Sequence, residues 1–429
     1  MHYLKSASAV QVEAAFPTDA VRAMLDSIRE GGEERVRQLA RELDKWQGDI
    51  VVTPEALDRA RACVSQRLKD DIAYAHDNIR RFAEAQRESC REFEVELRPG
   101  LIAGQRLIPV ESAGCYVPGG RYSHIASAIM TVTTAKAAGV GFVAACSPPR
   151  EGGIPAEILY TLDHCGADRI LALGGVQGIA ALAFGLFGTR PADILVGPGN
   201  QYVAEAKRLL FGTVGIDMVA GPTDSMILAD GSADPETVAM DLVGQAEHGY
   251  NSPVWLATDD EALAREVIAL VPDCIATLPE PNRESARRAW EGLAEVVLCT
   301  GREEMAQFAD RKAPEHLHVQ AADPDWWLGR LRAYGSLFLG AETTVAFGDK
   351  AAGPNHVLPT SGAARYTGGL SALKFLKMVT WQKVSPAALR DLAQATARIS
   401  RREGMEGHAR TADIRLRRHF PGEDFDLGG

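Results

Sequence analysis

The feature that most constrains this chain is an alternation, through its middle, of short apolar runs with segments of helical length and spacing. GFVAAC (141–146) and RILALGG (169–175) read as strands, and the IPAEILYTLDHCG between them spaces its Ile and Leu residues as a helix packed on a sheet does. The pattern repeats, with VQGIAALAFGL as helix, DILVGPGN as strand and turn, QYVAEAKRLLFG as helix and SMILAD as strand. Strands joined by such crossovers run parallel and bury both faces, so they carry no polar alternation. An α/β fold with a doubly wound, Rossmann-like domain over residues 116–223 is therefore expected. A second series, helix 235–247, strand PVWLATDD, helix 260–270 and strands AEVVLCT and GSLFLG, predicts a second domain of the same kind.

The flanks read differently. Most of the first 110 residues have helical spacing, with RLKDDIAYAHDNIRRFAEAQRESCREF the strongest stretch, and residues 1–20 are expected to form a small N-terminal helical segment. Residues 21–115 are expected to join 224–370 in the second α/β domain. GPNHVLPTSGAARYTGGL, rich in Gly, Pro, Ser and Thr, predicts a long ordered loop. It leads into a small helical domain over residues 371–429, in which Ser385-Pro386 ends one helix and starts the next.

Composition narrows the function classes. With 429 residues, 46% hydrophobic and 24% charged, the chain has the make-up of a globular protein of more than one domain. No apolar run approaches the roughly 18 residues that cross a bilayer, and MHYLKSASAVQVEAAF has no basic-then-apolar leader. No membrane partner and a cytoplasmic location are expected. The net charge of −11 argues against a nucleic-acid partner, because a phosphate backbone calls for clustered Lys and Arg. The arginines of RISRREG and RLRRHF read as solvated helix faces. Seven cysteines show no C-x-x-C pairing, so neither a thiolate metal site nor a disulfide framework is indicated.

Three groups of residues suggest chemistry, each with a plainer alternative. The turns VPGG (117–120), LGGVQG (173–178) and GPGN (197–200) would let backbone N–H groups approach a phosphate. The G-x-G-x-x-G fingerprint is absent, because Tyr202 stands third after Gly199, so these turns equally suit ordinary strand-to-helix connections. APEHLHV sets Glu315 beside His316 before a strand-like run, a pairing that suits proton abstraction and water activation, or a surface position. His318 alternates onto the same side, for packing. In DLVGQAEHGYNS, Gln245 and His248 share one face of an apolar helix. With Asp349 of FGDKAAGPNH and His408 of GMEGHAR they would form a mixed nitrogen and oxygen set for zinc, or else simply edge the helix.

These stretches coincide in one family. YVPGG, SPP, LGGVQGIAALAFG, GPGNQYVAEAKR, IDMVAGPTD, DLVGQAEHG, PEHL and GDKAAGPNHVLPT, with a late His after a Glu, resemble the histidinol dehydrogenase family along nearly the whole chain. The resemblance implies zinc held by Gln245, His248, Asp349 and His408. It implies that NAD is contacted by Tyr116, Gln177 and Asn200 in the 116–223 domain, and that Glu315 and His316 are the acid–base pair. Thr223, His356 and Glu403 match substrate-contacting positions, Thr223 standing where a serine is usual, and His316 and the metal ligands would touch substrate as well. A homodimer is implied whose C-terminal segment crosses over, so that Glu403 and His408 serve the partner's site.

The implied reaction removes four electrons from a primary alcohol. Zinc would position the alcohol, and His316 would take its proton as hydride leaves for NAD. Glu315 would then activate water on the enzyme-held aldehyde, and a second NAD would remove hydride to leave a carboxylate. A covalent route through Cys115, beside Tyr116, lacks an evident base.

The substrate implied is a small anionic alcohol. Arg121 and His124, in RYSHIASAIM after VPGG, and Lys350, after Asp349, add basic groups that would repel cationic histidinol and favour a sulfonate, unless they are solvated surface residues. In this the chain is similar to the family's sulfopropanediol 3-dehydrogenase branch, which converts (R)-2,3-dihydroxypropane-1-sulfonate to (R)-3-sulfolactate. L-histidinol, oxidised to L-histidine, is the alternative substrate, and Glu403 would suit its amine. A zinc hydrolase without nicotinamide and a non-catalytic nucleotide-binding protein are the other classes open.

Overall fold

The structure, a computed structural model, describes residues 1–8, 17–119 and 124–428. Its contacts divide the chain into two compact units, Met1–Arg87 with Val110–Phe375, and Glu88–Pro109 with Leu376–Gly429.

Among the described residues the larger unit holds two sheets. The first has five parallel strands, Ser112–Tyr116, Phe142–Ser147, Arg169–Ala172, Ile194–Val196 and Gly215–Ile216. Across the sheet they stand as third, second, first, fourth and fifth of that series, the doubly wound order. Ala113, Cys115, Val143 and Ala145 face one core with helices Ile125–Ala138 and Ala156–His164. Ala144, Cys146, Leu171 and Leu195 face the other, with helices Thr18–Leu39, Gly175–Phe184 and Gln201–Leu210. This burial on both faces is the physical reason for the unbroken apolar runs, each fully buried Val or Leu contributing about 1.5–3 kcal/mol.

The second sheet repeats the same order with Ser225–Ala229, Val254–Thr258, Glu295–Leu298, His316–Gln320 and Ser336–Leu339. Helices Pro235–Ala246, Glu261–Ala276 and Asn282–Leu293 cover one face, and Arg302–Lys312 and Pro324–Arg330 the other. The smaller unit is an antiparallel sheet of Phe93–Arg98, Leu101–Pro109 and Leu376–Val384, with Leu101–Pro109 in the middle. Helices Pro386–Arg402 and Glu406–His419 pack together through Ala393, Ala397, Ala409 and Leu416, and Ser385 precedes Pro386 at the first helical turn as expected.

Four expectations are corrected. Residues 21–115, expected in the second α/β domain, do not join it: helices Thr18–Leu39 and Gln66–Ser89 pack into the cores of the first sheet through Val21, Ile28, Ile72 and Ile79, and Phe93–Arg98 and Leu101–Pro109 are strands of the smaller unit. His2–Lys5, inside the expected N-terminal helical segment, is a strand that pairs antiparallel with Glu295–Leu298, and residues 9–16 lie outside the described residues. A strand this short carries no period of its own, and the sheet edge makes it one. Leu376–Val384, inside the expected helical C-terminal domain, is a strand paired along its length with Leu101–Pro109. It is exposed over most of its residues, so no buried face marks it in the sequence. Ser112–Tyr116 belongs to the first sheet, so the expected boundary at residue 116 cuts a strand. No helix among the described residues is long and apolar enough to cross a membrane.

Candidate active site

The second sheet gathers polar groups at the amino ends of its strands, whereas doubly wound sheets usually bind ligands at the carboxyl ends. His316 opens its strand opposite Ser225, and Asp224 immediately precedes the neighbouring strand. Asp224 ties the two together. Its Oδ1 accepts from Glu315 N at 2.7 Å, its Oδ2 from Ser361 N at 3.1 Å, and its own N–H donates to Glu315 Oε2 at 3.2 Å. His316 Nδ1 lies 3.4 Å from the Asp224 main-chain oxygen. A carbonyl only accepts, so Nδ1 carries the hydrogen and, in the neutral ring, Nε2 is left with its lone pair. Nε2 is 3.4 Å from Asp349 Oδ1 but makes no aligned hydrogen bond, and both groups are buried. Burial pushes the Glu315 carboxyl up to about 8. Burial works against charge on His316, yet Glu315, Asp349 and Asp224 outweigh it and raise the imidazole to about 9. His318 packs beside His316 against Phe338, as alternation along the strand predicts.

Asp349 is the hub of a second group. It lies on helix Val345–Lys350, which packs on helix Pro235–Ala246 and approaches Phe338 so closely that a Cβ on Gly348 would fall 2.5 Å from its ring. Burial pushes the Asp349 carboxyl up, but His248 and His316 overcome that and hold it well below the usual range. His248 Nε2 is 3.7 Å from Asp349 Oδ2. Gln245, buried near the end of helix Pro235–Ala246, has an Oε1 with no partner. Such an orphaned acceptor costs about 1–3 kcal/mol, which a ligand would recover. Zinc bonds of 2.0–2.2 Å at tetrahedral angles set donor atoms roughly 3.3–3.6 Å apart, close to the His248–Asp349 separation. An unpartnered amide oxygen, an imidazole and a carboxylate are donor types that zinc accepts. Among the described residues no three His, Cys, Asp or Glu side chains converge as a metal cluster, so this donor set remains incomplete.

The other expected substrate residues divide between the units. His356 donates from Nδ1 to the Asp349 main-chain oxygen at 2.8 Å, and its Nε2 accepts from Ser127 Oγ at 3.1 Å. Burial lowers its pKa. His124 precedes helix Ile125–Ala138 and is pushed down to about 4, first by burial and then by His356, Lys350, His248 and Arg150. Thr223 is half-buried beside Asp224 and Lys350 is exposed. Glu403 and His408 belong to the smaller unit and are exposed there. Arg121 lies outside the described residues.

The first sheet presents its groups at the carboxyl ends, on both sides of the point where strand order reverses. Tyr116 closes the first strand and its hydroxyl accepts from Gly175 N at 3.1 Å, while burial keeps its pKa raised. Gln177 donates from Nε2 to Asp44 Oδ2 at 2.8 Å, Gly174 N donates to the same oxygen at 3.2 Å, and Gln177 Oε1 is unpartnered. Asn200 Oδ1 caps helix Gln201–Leu210, accepting from Tyr202 N at 3.0 Å and Val203 N at 3.2 Å. Gly197, at φ +116°, lies so near Tyr116 that a Cβ would sit 2.1 Å from its main-chain oxygen. A buried ion pair of Lys207 and Asp217 holds that turn: Lys207 Nζ donates to Gly197 O at 2.9 Å and Gly197 N to Asp217 Oδ2 at 2.7 Å. A cavity of about 580 Å³ lies beside Asp44, lined also by Trp46, Arg150 and Glu151.

Asp44, Asp224 and Ser127 are site residues that sequence reasoning missed. Asp224 had a signal, an acidic residue set directly before a strand in GPTD. Asp44, at the end of a π-helical turn, and Ser127 had none, since their roles depend on distant partners. Cys115 is buried and its thiol pushed up to about 12 by burial, so it offers no thiolate for a covalent route.

Residues 8–416 match the sequence profile of the histidinol dehydrogenase family. The chain belongs to the histidinol dehydrogenase family. It is an NAD-dependent oxidoreductase, which sets aside the hydrolase and the non-catalytic binder. Within the family, a histidinol dehydrogenase homolog of Ruegeria pomeroyi is 69% identical over 404 residues, 94% of this chain and 93% of that one. The sulfopropanediol 3-dehydrogenase of the same organism is 61% identical over 429 residues, 100% of this chain and 99% of that one. The crystal structure of histidinol dehydrogenase from Elizabethkingia anophelis matches with a TM-score of 0.90 at 32% identity, covering 95% of this chain and 93% of that one.

Proposed function

We propose that this family member is a zinc-dependent dehydrogenase that oxidises (R)-2,3-dihydroxypropane-1-sulfonate to (R)-3-sulfolactate with two equivalents of NAD. The observation that carries the reading is the convergence on Asp349 of His248 at 3.7 Å and His316 at 3.4 Å, on a helix packed against that of the orphaned Gln245 oxygen. Gln245, His248 and Asp349 would hold zinc, and His408 of the partner subunit in a homodimer would supply the missing donor.

Bound zinc would polarise the substrate alcohol and draw on the Asp349 charge that otherwise keeps His316 protonated. His316, its Nδ1–H fixed by the Asp224 carbonyl, would offer the Nε2 lone pair to the hydroxyl proton, and NAD, when bound, would be the hydride acceptor. Glu315, buried and raised to about 8, holds or releases a proton near neutral pH and so suits activation of water on the aldehyde. A second hydride transfer leaves the acid. Tyr116, Gln177 and Asn200, with the cavity beside Asp44, are the proposed NAD contacts. Thr223 and His356, with Glu403 of the partner subunit, would orient the substrate.

The sulfonate assignment draws on charge. Burial first, and then His356, Lys350, His248 and Arg150, depress the His124 pKa, and of these neighbours the cations Lys350 and Arg150 would suit an anion. Arg121 would add to these. The name of the 61% identical relative points the same way. Supplying the propanediol sulfonate and L-histidinol side by side, and counting NADH formed per substrate consumed, tests the reading. A ratio of two with the sulfonate as the better substrate is expected. Preference for L-histidinol would overturn the substrate, and a ratio of one would overturn the four-electron course.

A further inference from the structure

We propose that Asp241 is a positioning residue that sets the spacing between the elements bearing Gln245, Asp349 and His316, an inference that rests on the zinc reading above. Asp241 and Gln245 stand one turn apart on helix Pro235–Ala246 and so share a face. Asp241 Oδ1 accepts from Thr344 Oγ1 at 2.8 Å. Thr344 is the N-cap of helix Val345–Lys350, on which Asp349 sits, and its hydroxyl oxygen accepts from Ala346 N at 3.4 Å. One carboxylate therefore fastens the helix that carries the amide to the start of the helix that carries the acid.

The other oxygen reaches the third element. Asp241 Oδ2 accepts from Gln320 Nε2 at 2.7 Å and lies 3.5 Å from His318 Nδ1, both on the strand that His316 opens. His318 is turned by its Nε2–H, which donates to Gly340 O at 3.0 Å. Gln320 and His318 are buried, so these contacts exchange little with water. The Asp241 carboxylate bonds Thr344 and Gln320 and none of the proposed ligands. It acts through the relative placement of three backbone segments, and a tetrahedral site tolerates little error in that placement. An Asn at this position fills the same volume but offers one acceptor oxygen where two donors, Thr344 and Gln320, need one each.

The test is zinc affinity of the full-length protein, read by competition with a chromophoric chelator, alongside the visible spectrum of the cobalt-substituted protein and the melting temperature in chelator. Asp241→Asn and Thr344→Val should each weaken zinc binding about 10–100-fold and shift the cobalt bands. Thr344→Ser, which keeps the hydroxyl, should restore both. The double variant Asp241→Asn/Thr344→Val should lose less affinity than the two single losses summed, because the Asp241–Thr344 contact is common to both. If Asp241→Asn does not fold, the Thr344→Val and Thr344→Ser pair decides alone. Wild-type affinity in folded Asp241→Asn or Thr344→Val, or losses that add in the double variant, would overturn the clamp. A wild-type protein that takes up no zinc would instead overturn the zinc reading, and the clamp with it.

Discussion

Replacing Lys207 with Met removes one half of a buried ion pair and should lower the melting temperature by several degrees while loosening the turn at Gly197. Lys207 and its partner Asp217 are almost wholly shielded from water, with side-chain exposures of 3% and 0%. Removing one partner of such a pair leaves a buried charge uncompensated, at a cost of about 3–5 kcal/mol. Asp217 keeps two backbone donors, Gly197 N and Met218 N, each at 2.7 Å, which favours the lower end of that range. Unfolding entropy of about 2.1 cal/mol/K per residue, taken over 429 residues, comes to roughly 0.9 kcal/mol/K. The shift is then about 3–6 °C. Calorimetry near neutral pH should record it, and isothermal titration should record weaker NAD binding, because Gly197 O loses its Lys207 donor. In Lys207→Met/Asp217→Asn the charge is gone and most of the melting temperature should return. A single variant that melts within about 1 °C of wild type, or a double variant that melts below the single, would refute the argument.

Gln245→Leu should make the chelator-treated protein more stable, by about 1–3 kcal/mol in denaturant titration, because the orphaned acceptor is gone. The same variant should lose zinc affinity, and a loss of stability without metal would count against Gln245 as a ligand. Glu315, raised from 4.5 to about 8, binds its proton more tightly in the folded state, so its contribution is full below pH 4.5 and lost as pH rises through 8. Metal-free protein should lose about 1 kcal/mol per pH unit across that window relative to Glu315→Gln, and parallel pH–stability curves for the two would contradict this. Arg121→Ala should raise KM for the propanediol sulfonate about tenfold or more with little change in kcat, and an unchanged KM would remove Arg121 from the substrate's surroundings.

Much of the larger unit was legible residue by residue. GFVAAC, RILALGG and SMILAD are strands, and the helices expected between them are present, because a two-sided burial requirement writes itself into consecutive residues. PEHL was legible as an acid–histidine pair at the start of a strand, whereas QAEH was expected to lie on one helix face and instead spans a helix end, Gln245 in the last turn and His248 in the turn beyond Ala246. Asp44 and Asp241 were not legible. Their partners, Gln177 in one case and Thr344 and Gln320 in the other, lie far along the chain, and nothing local to an aspartate announces them.

Local sequence determined that this chain would build two doubly covered sheets of mainly parallel strands and carry a particular set of donors, because periodic burial and residue chemistry are properties of neighbouring positions. Tertiary structure alone decided that Glu315 and His316 meet Asp224 and Asp349 at the amino ends of the second sheet, and that Leu376–Val384 is a strand. The charge state of those groups followed from the same assembly. Burial raised Glu315, and two histidines from separate segments held Asp349 ionised, because desolvation and Coulomb interactions depend on distance in space and not on separation along the chain.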